Sequence, residues 1–312
     1  VKNLFEKALL PVRIAAEAVY PEPTYEVSGR VAVVTGGADG IGLALARKLK
    51  TRGASVAIID RNAEALESAR TVLRDGVLYL EADVRDREVM AKHIQHVVDH
   101  FGRLDIVVAN AGVSPDPATI RTIEADEFER IIDVNLIGVF NTVKPAIEPI
   151  IESQGHIVLV ASAAAFMPGM GMAAYMASKA GVEQLGRALR IELAPHGASA
   201  GIAYFGFVQT AFVRPLDEDP LLREFNAQVP LPLRHRATPE QAAKAVADGI
   251  SRRAATTVTP AIWESIALLR GLLAAPIDRY LTADSWTHGA IRAIEQRFFD
   301  HENSAKHAQE AQ

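Results

Sequence analysis

The sequence predicts an α/β fold: a single doubly wound domain of about seven parallel strands flanked by helices, with a helical extension at each end. Three observations predict it. Between residues 29 and 260, short runs rich in β-branched residues alternate with longer stretches of helical spacing, the pattern of repeated strand–helix–strand units. The runs are continuously apolar rather than alternating, as strands buried on both faces should be. The first run ends in spaced glycines that open a helical stretch.

The expected strands are Val31–Thr35, Ser55–Asp60, Val77–Ala82, Asp105–Ala109, His156–Ala161, Ser199–Tyr204 and Thr256–Thr259. Helical spacing falls in Gly40–Arg52, Ala63–Leu73, Arg87–Phe101, Asp126–Ser153, Ala173–Pro195 and Pro239–Ser251. Thr238 before Pro239 is an N-cap followed by proline at the first helical position. Pro195 and Gly197 end the helix before them. Residues 1–28 read as an amphipathic helix and a proline-rich connector, Pro21-Glu22-Pro23. In residues 261–312, Ile262, Ile266, Leu269 and Leu273 can share one helical face, and a polar tail from His301 should fray.

The chain has 312 residues, is 49% hydrophobic and carries a formal charge of −5, so it can bury a large core and offers no basic footprint for nucleic acid. It has no cysteine, which excludes disulfides, thiolate metal sites and a cysteine nucleophile, and no metal is expected. The apolar stretch Val1–Tyr20 is broken by Lys2, Glu6, Lys7, Pro11, Arg13 and Glu17, and reads neither as a secretory leader nor as a membrane span. Ile157–Ser178 carries no charge, but Pro168, Gly169 and Gly171 divide it into strand, loop and helix start. A cytoplasmic location is the expectation.

The loop Gly36-Gly37-Ala38-Asp39-Gly40-Ile41-Gly42 lies between the first strand and its helix. Glycine lets backbone approach a pyrophosphate, and a helix N-terminus offers free N–H groups and a favourable dipole. The same glycines could serve strand–helix packing alone. Asp60 ends the second strand 18 residues after Gly42, where a carboxylate can accept both adenosine ribose hydroxyls and repel a 2′-phosphate. Asp60 could instead cap the next helix, a task open also to Asn62. Arg61 would soften the repulsion. On balance NAD is expected over NADP.

Tyr175 and Lys179 are four residues apart, hence on one helical face, and follow the uncharged stretch. A nearby cation favours phenolate and should lower the tyrosine pKa from its ordinary ~10. Ser162 lies at the carboxyl end of the fifth strand, where open α/β sheets bind ligands.

From Gly29 to Ala255 the chain resembles the short-chain dehydrogenase/reductase family. The motifs, in order and at the family's spacing, are Thr35-Gly-x-x-x-Gly-Ile-Gly42, Asp83-Val84, Asn110-Ala111-Gly112, Asn135, Ser162 and Tyr175-x-x-x-Lys179. The resemblance implies a Rossmann-like fold and an oxidoreductase that interconverts a secondary alcohol and a ketone. Tyr175 would be the general acid/base, Lys179 would bond the nicotinamide ribose and stabilise phenolate, and Ser162 would orient the reacting oxygen. Asn135 would hold a water linking Lys179 to solvent. Gly36, Gly40, Ile41 and Gly42 would cradle the pyrophosphate, Asp83 and Val84 would meet adenine, and Asn110 and Gly112 would line the cleft. Gly206, Val208 and Thr210 would flank the nicotinamide, although Phe205 stands where the family usually has proline.

Substrate choice should reside in Phe166–Met172 and Phe207–Arg236, whose apolar residues either line a pocket for a lipophilic alcohol (steroid, terpenoid or hydroxyacyl) or pack on their own loop or a neighbouring subunit. The 261–300 stretch could be a lid, an oligomer contact or a membrane-surface anchor; own-chain packing or oligomerisation is favoured, since no dense basic face supports the anchor. The resemblance suggests a homotetramer or homodimer. A non-catalytic, redox-sensing dinucleotide binder is the rival reading; the complete Ser162, Tyr175 and Lys179 set favours the enzyme.

Overall fold

The computed structural model describes residues 24–214 and 218–310, with side chains as far as residue 300. The expected helix at the N-terminus, its proline-rich connector, and Leu216 lie outside the described residues. Seven parallel strands form one sheet in the order β3-β2-β1-β4-β5-β6-β7: β1 (Val31–Thr35), β2 (Ser55–Asp60), β3 (Val77–Glu81), β4 (Ile106–Ala109), β5 (His156–Ser162), β6 (Ser199–Phe205) and β7 (Thr256–Thr259). Successive residues of a strand feed opposite faces. Ala32 and Val34 join a core layer with Leu45, Leu49 and Val246, whereas Val31 and Val33 join a layer with Ile94, Val139 and Val182. The chain reverses direction across the sheet between β1 and β4, so the crevice at their carboxyl ends is where a ligand fits.

The helices are α1 (Gly40–Thr51), α2 (Ala63–Leu73), α3 (Arg87–Phe101), α4 (Ala125–Ile132), α5 (Gly138–Val143), α6 (Ile147–Glu152), α7 (Ala173–Leu193), α8 (Pro220–Gln228), α9 (Pro239–Ser251), α10 (Ile262–Ala283) and α11 (Ser285–Glu310). Thr238 caps α9 reciprocally with Gln241, as its sequence position suggested.

Three features depart from expectation. The helix expected over Asp126–Ser153 is interrupted by a π turn at Asp133–Ile137 and a tighter turn at Lys144–Ala146. At the first, Asn135 is pulled toward Val113; at the second, Pro145 lacks the N–H a regular helix needs. Packing begins before residue 29: Tyr25 and Val27 are buried, and the Tyr25 hydroxyl donates to the Asp105 carbonyl (3.2 Å). At the other end, α11 continues to Glu310 where fraying was expected from His301, and Trp263, Ala290 and Ile294 are buried against the domain. Among the described residues no helix is long and apolar enough to cross a membrane, and no cluster of His, Asp or Glu could hold a metal ion.

Candidate active site

The loop after β1 is shaped by what its glycines exclude. Gly36 has φ +61°, and a Cβ there would lie 2.9 Å from the Ala111 Cα; a Cβ on Gly42 would lie 2.0 Å from the Gly36 carbonyl oxygen. The loop can fold so tightly against α1 only without those side chains. Asn110 fixes it from β4, donating through Nδ2 to the carbonyls of Thr35 (2.9 Å) and Gly36 (3.2 Å). The asparagine expected at the cleft also clamps the loop. Asp39, unremarked in the sequence, caps α1 by accepting from the Gly40 N–H (2.7 Å). A cavity of about 560 Å³ opens beside this helix end, lined by Asp39, Gly40, Thr210, Arg214 and Arg236 among others.

At the neighbouring strand end, Asp60 accepts from the Ala38 N–H (3.2 Å) and the Asn62 N–H (3.1 Å), while Asn62 caps α2 through the Ala65 N–H. The capping alternative thus belongs to Asn62. Arg61 and Asp83 line a second cavity of about 530 Å³. Arg85 grips both Asp83 oxygens and holds that carboxyl below its usual range, with a smaller contribution from Arg61. Val84 is buried, and its side chain would be struck by a Cβ on Gly138 at 2.5 Å; its carbonyl accepts from Asn141 (3.0 Å). The Val84 side chain thus packs in the core.

The sheet brings Ser162, Tyr175, Lys179 and Asn135 together. Tyr175 and Lys179 are buried in the first two turns of α7, and the Lys179 ammonium lies 5.7 Å from the phenol ring centre while donating to the Val160 carbonyl (3.0 Å). Ser162 is the last residue of β5, donates to the Phe205 carbonyl (3.3 Å), accepts from the Ala164 N–H and lowers the Tyr175 pKa as a neighbouring hydroxyl. The Asn135 amide is held at three points: its oxygen accepts from the Val113 N–H (2.8 Å), and its nitrogen donates to the Val113 carbonyl (3.0 Å) and Ser178 (3.2 Å). Gly112 keeps this corner open, since a Cβ there would lie 3.2 Å from Asn135 Oδ1 and 3.5 Å from Lys179 Nζ.

The electrostatics correct one expectation. Burial pushes the Tyr175 phenol up to about 12, opposed by the neighbouring Ser162 hydroxyl, and pushes Lys179 down to about 8. Spacing suggested that the lysine would depress the phenol, but desolvation of the charged forms dominates both groups in the protein alone.

Phe205 extends β6 by one residue. It pairs with Ser162 on one side and Thr259 on the other, a register in which a proline could not donate. The Gly206 N–H donates to the Thr259 carbonyl (2.9 Å), and the Trp263 indole lies so close that a Cβ on Gly206 would be 2.2 Å from its Nε1. Val208 is buried, and Thr210 Oγ1 donates to its carbonyl (3.4 Å). Gly40 meets Thr210 across the cleft, a Cβ on the glycine lying 3.3 Å from Thr210 Cγ2.

Sequence reasoning missed a buried cluster behind the tyrosine. Glu183 follows Lys179 by one more turn, accepts two hydrogen bonds from Arg270 of α10 (2.7 and 2.5 Å) and, with burial, raises the pKa of Tyr204. Its spacing from Tyr175 and Lys179 could have flagged it. Arg270, 87 residues away, could not be read as its partner.

A family model described as short chain dehydrogenase matches residues 30–221. The chain is 34% identical to cis-4-hydroxycyclohexanecarboxylate dehydrogenase of Sinomonas cyclohexanicum, over 70% of this chain and 88% of that one. It is 32% identical to 15-hydroxyprostaglandin dehydrogenase [NAD(+)] of Homo sapiens, over 64% of this chain and 76% of that one. Among solved structures, levodione reductase superposes with a TM-score of 0.70 at 28% identity, covering 77% of this chain and 99% of that one. With the parallel sheet, the glycine loop and the Ser–Tyr–Lys group, these matches show that the chain belongs to the short-chain dehydrogenase family, oxidoreductases acting on alcohols and ketones.

Proposed function

We propose that the protein interconverts a lipophilic secondary alcohol and its ketone with NAD(H), using Tyr175 as the general acid/base. The observation that carries this reading is the meeting of buried Tyr175 and Lys179 with half-buried Ser162 at the carboxyl ends of β5 and β6. The site fits a dinucleotide: Gly36 and Gly42 leave backbone bare at the N-terminus of α1, and Asp60 stands at the end of β2 with oxygens turned to the loop. A bound nicotinamide dinucleotide would accept or supply the hydride.

The chain's own residues do the rest. Ser162, released from the Phe205 carbonyl, donates to the substrate oxygen and fixes it beside the phenol. Tyr175 takes the alcohol proton in oxidation and returns it in reduction. Its phenol is held protonated by burial, so proton removal requires added positive charge in the site; Lys179, displaced from the Val160 carbonyl, is placed to provide it. Both amide donors of Asn135 are engaged, so its side chain can join a proton relay only as an acceptor, through the second lone pair of Oδ1. The surroundings of Tyr175 are apolar: it forms a small cluster with Ile131 and Ala174, against which Val113, Ile123, Phe128, Ala164 and Met172 pack, and Phe212 lies 5.9 Å from its ring. That lining supports a lipophilic substrate. NAD is preferred because the Asp60 carboxylate repels a 2′-phosphate; the name of the human relative specifies NAD(+) for that protein. Self-association has a surface to use, since Ile137, Phe140 and Ile191 are exposed. Turnover of cyclic, terpenoid and small polar alcohols, each with NAD and NADP and followed by reduced-cofactor absorbance, tests this reading. Activity confined to small polyols contradicts the lipophilic pocket.

A further inference from the structure

The substrate end of the site is bounded by three loops, after β4, β5 and β6, and α11 touches all of them. On the first, Glu295 accepts from Thr119 Oγ1 (3.0 Å) and from Arg121 Nη1 (3.0 Å). On the second, Ile294, 2% exposed, packs so closely on Gly171 that a Cβ there would be 3.0 Å from its Cδ1. On the third, Arg297 grips both Asp219 oxygens (2.6 and 3.0 Å), and Trp286 donates to Glu224 (3.3 Å) and meets the Phe225 ring edge-on at 5.5 Å. Trp286, Ala290, Ile294 and Arg297 fall at helical spacing, so one face of a single helix makes most of these contacts. The first two loops are also joined directly, by the Ala118 N–H donating to the Gly171 carbonyl (3.0 Å). The third carries Phe212 to Tyr175.

A helix with charged partners on two loops and a buried side chain against the third fixes their separation. We infer that α11 is a specificity-determining strap: through Ile294, Glu295 and Arg297 it sets the width of the substrate pocket over Tyr175, without touching the dinucleotide cleft. The inference rests on the proposed reaction. Loosening the strap weakens substrate binding while the chemical step persists. Ile294, Glu295 and Arg297 are positioning residues.

Charge exchange tests it in the full chain. Arg297→Asp, Asp219→Arg and the combined exchange are compared with wild type by hydrogen exchange, by KM and kcat for cyclohexanol and carveol, and by NADH affinity. Each single variant is expected to speed exchange in all three loops, including the segments around residues 119 and 171, and to raise KM about tenfold with kcat and NADH affinity nearly unchanged. The combined exchange is expected to restore both. Faster exchange confined to residues 219–228, or a KM unmoved in loosened variants, overturns the strap. Glu295→Gln, which keeps the side chain's size, gives the same readouts should the reversals fail to fold. If wild type turns over no alcohol, the proposed reaction fails, while the exchange pattern still decides whether the three loops are coupled.

Discussion

Replacing Asp60 by Asn changes charge while keeping shape, which makes it the cleanest probe of cofactor choice. Asp60 holds the Ala38 and Asn62 N–H groups, and an asparagine oxygen can still accept from a backbone donor there. What is lost is one of the two backbone bonds and, on the proposed assignment, the carboxylate's stronger bonding to two ribose hydroxyls. Hydrogen bonds to a charged group exceed neutral ones by about 1 kcal/mol each, so NADH affinity should fall by about 2 kcal/mol, roughly 30-fold. Repulsion of a 2′-phosphate by Asp60 is worth about 1–2 kcal/mol at a hydrated site, so NADPH should bind roughly tenfold tighter. Affinities of both cofactors, measured by energy transfer from tryptophan to the reduced nicotinamide, should give a preference shifted by roughly 300-fold. Asp60→Ala loses both backbone bonds, so it should weaken both cofactors by a further common factor. A preference shifted by less than about threefold would refute the assignment of Asp60 to cofactor choice.

Two further outcomes concern the fold that carries the site. His156 is fully buried against Ser199 and held down to about 3 by burial and by Arg190 and Arg253. The unfolded chain takes up that proton below about 6.5 and the folded protein does not, so the contribution is complete above that pH and shrinks as pH falls toward 3. Between pH 7 and 5 it should cost about 2 kcal/mol in urea unfolding, and His156→Gln should flatten the dependence by that amount; an unchanged slope would show that His156 is not kept neutral. Gly206→Ala forces a methyl to within 2.2 Å of the Trp263 indole nitrogen, whereas Gly271 has nothing within 4 Å. The first should lose about 1–3 kcal/mol in unfolding experiments and the second should lose nothing; equal effects would contradict the packing of α10 on the β6 end.

The fold was legible where its causes are local. The strands carry continuous apolar runs, Thr238, Gln241 and Pro239 cap α9 within four residues, and the ends of α2 and α3 fall as their spacing suggested. Legibility stopped where the cause is distant. The π turn at Asn135 depends on the Val113 backbone 22 residues earlier, and the α11 contacts join residues 61 to 176 apart. The site residues were nameable from motif order, but their packing was not: Asn110 also clamps the glycine loop, and the Val84 side chain is buried. The tyrosine pKa was misjudged because spacing reveals a neighbouring charge but not how completely both groups are desolvated.

The most direct test of the proposed chemistry is single-turnover hydride transfer in Tyr175→Phe, with NADH affinity measured on the same sample. Removing the general acid/base should slow transfer by about 10²–10⁴-fold while the dinucleotide binds as in wild type. Transfer at the wild-type rate, with the cofactor bound and the alcohol turned over, would mean that Tyr175 does not move the proton.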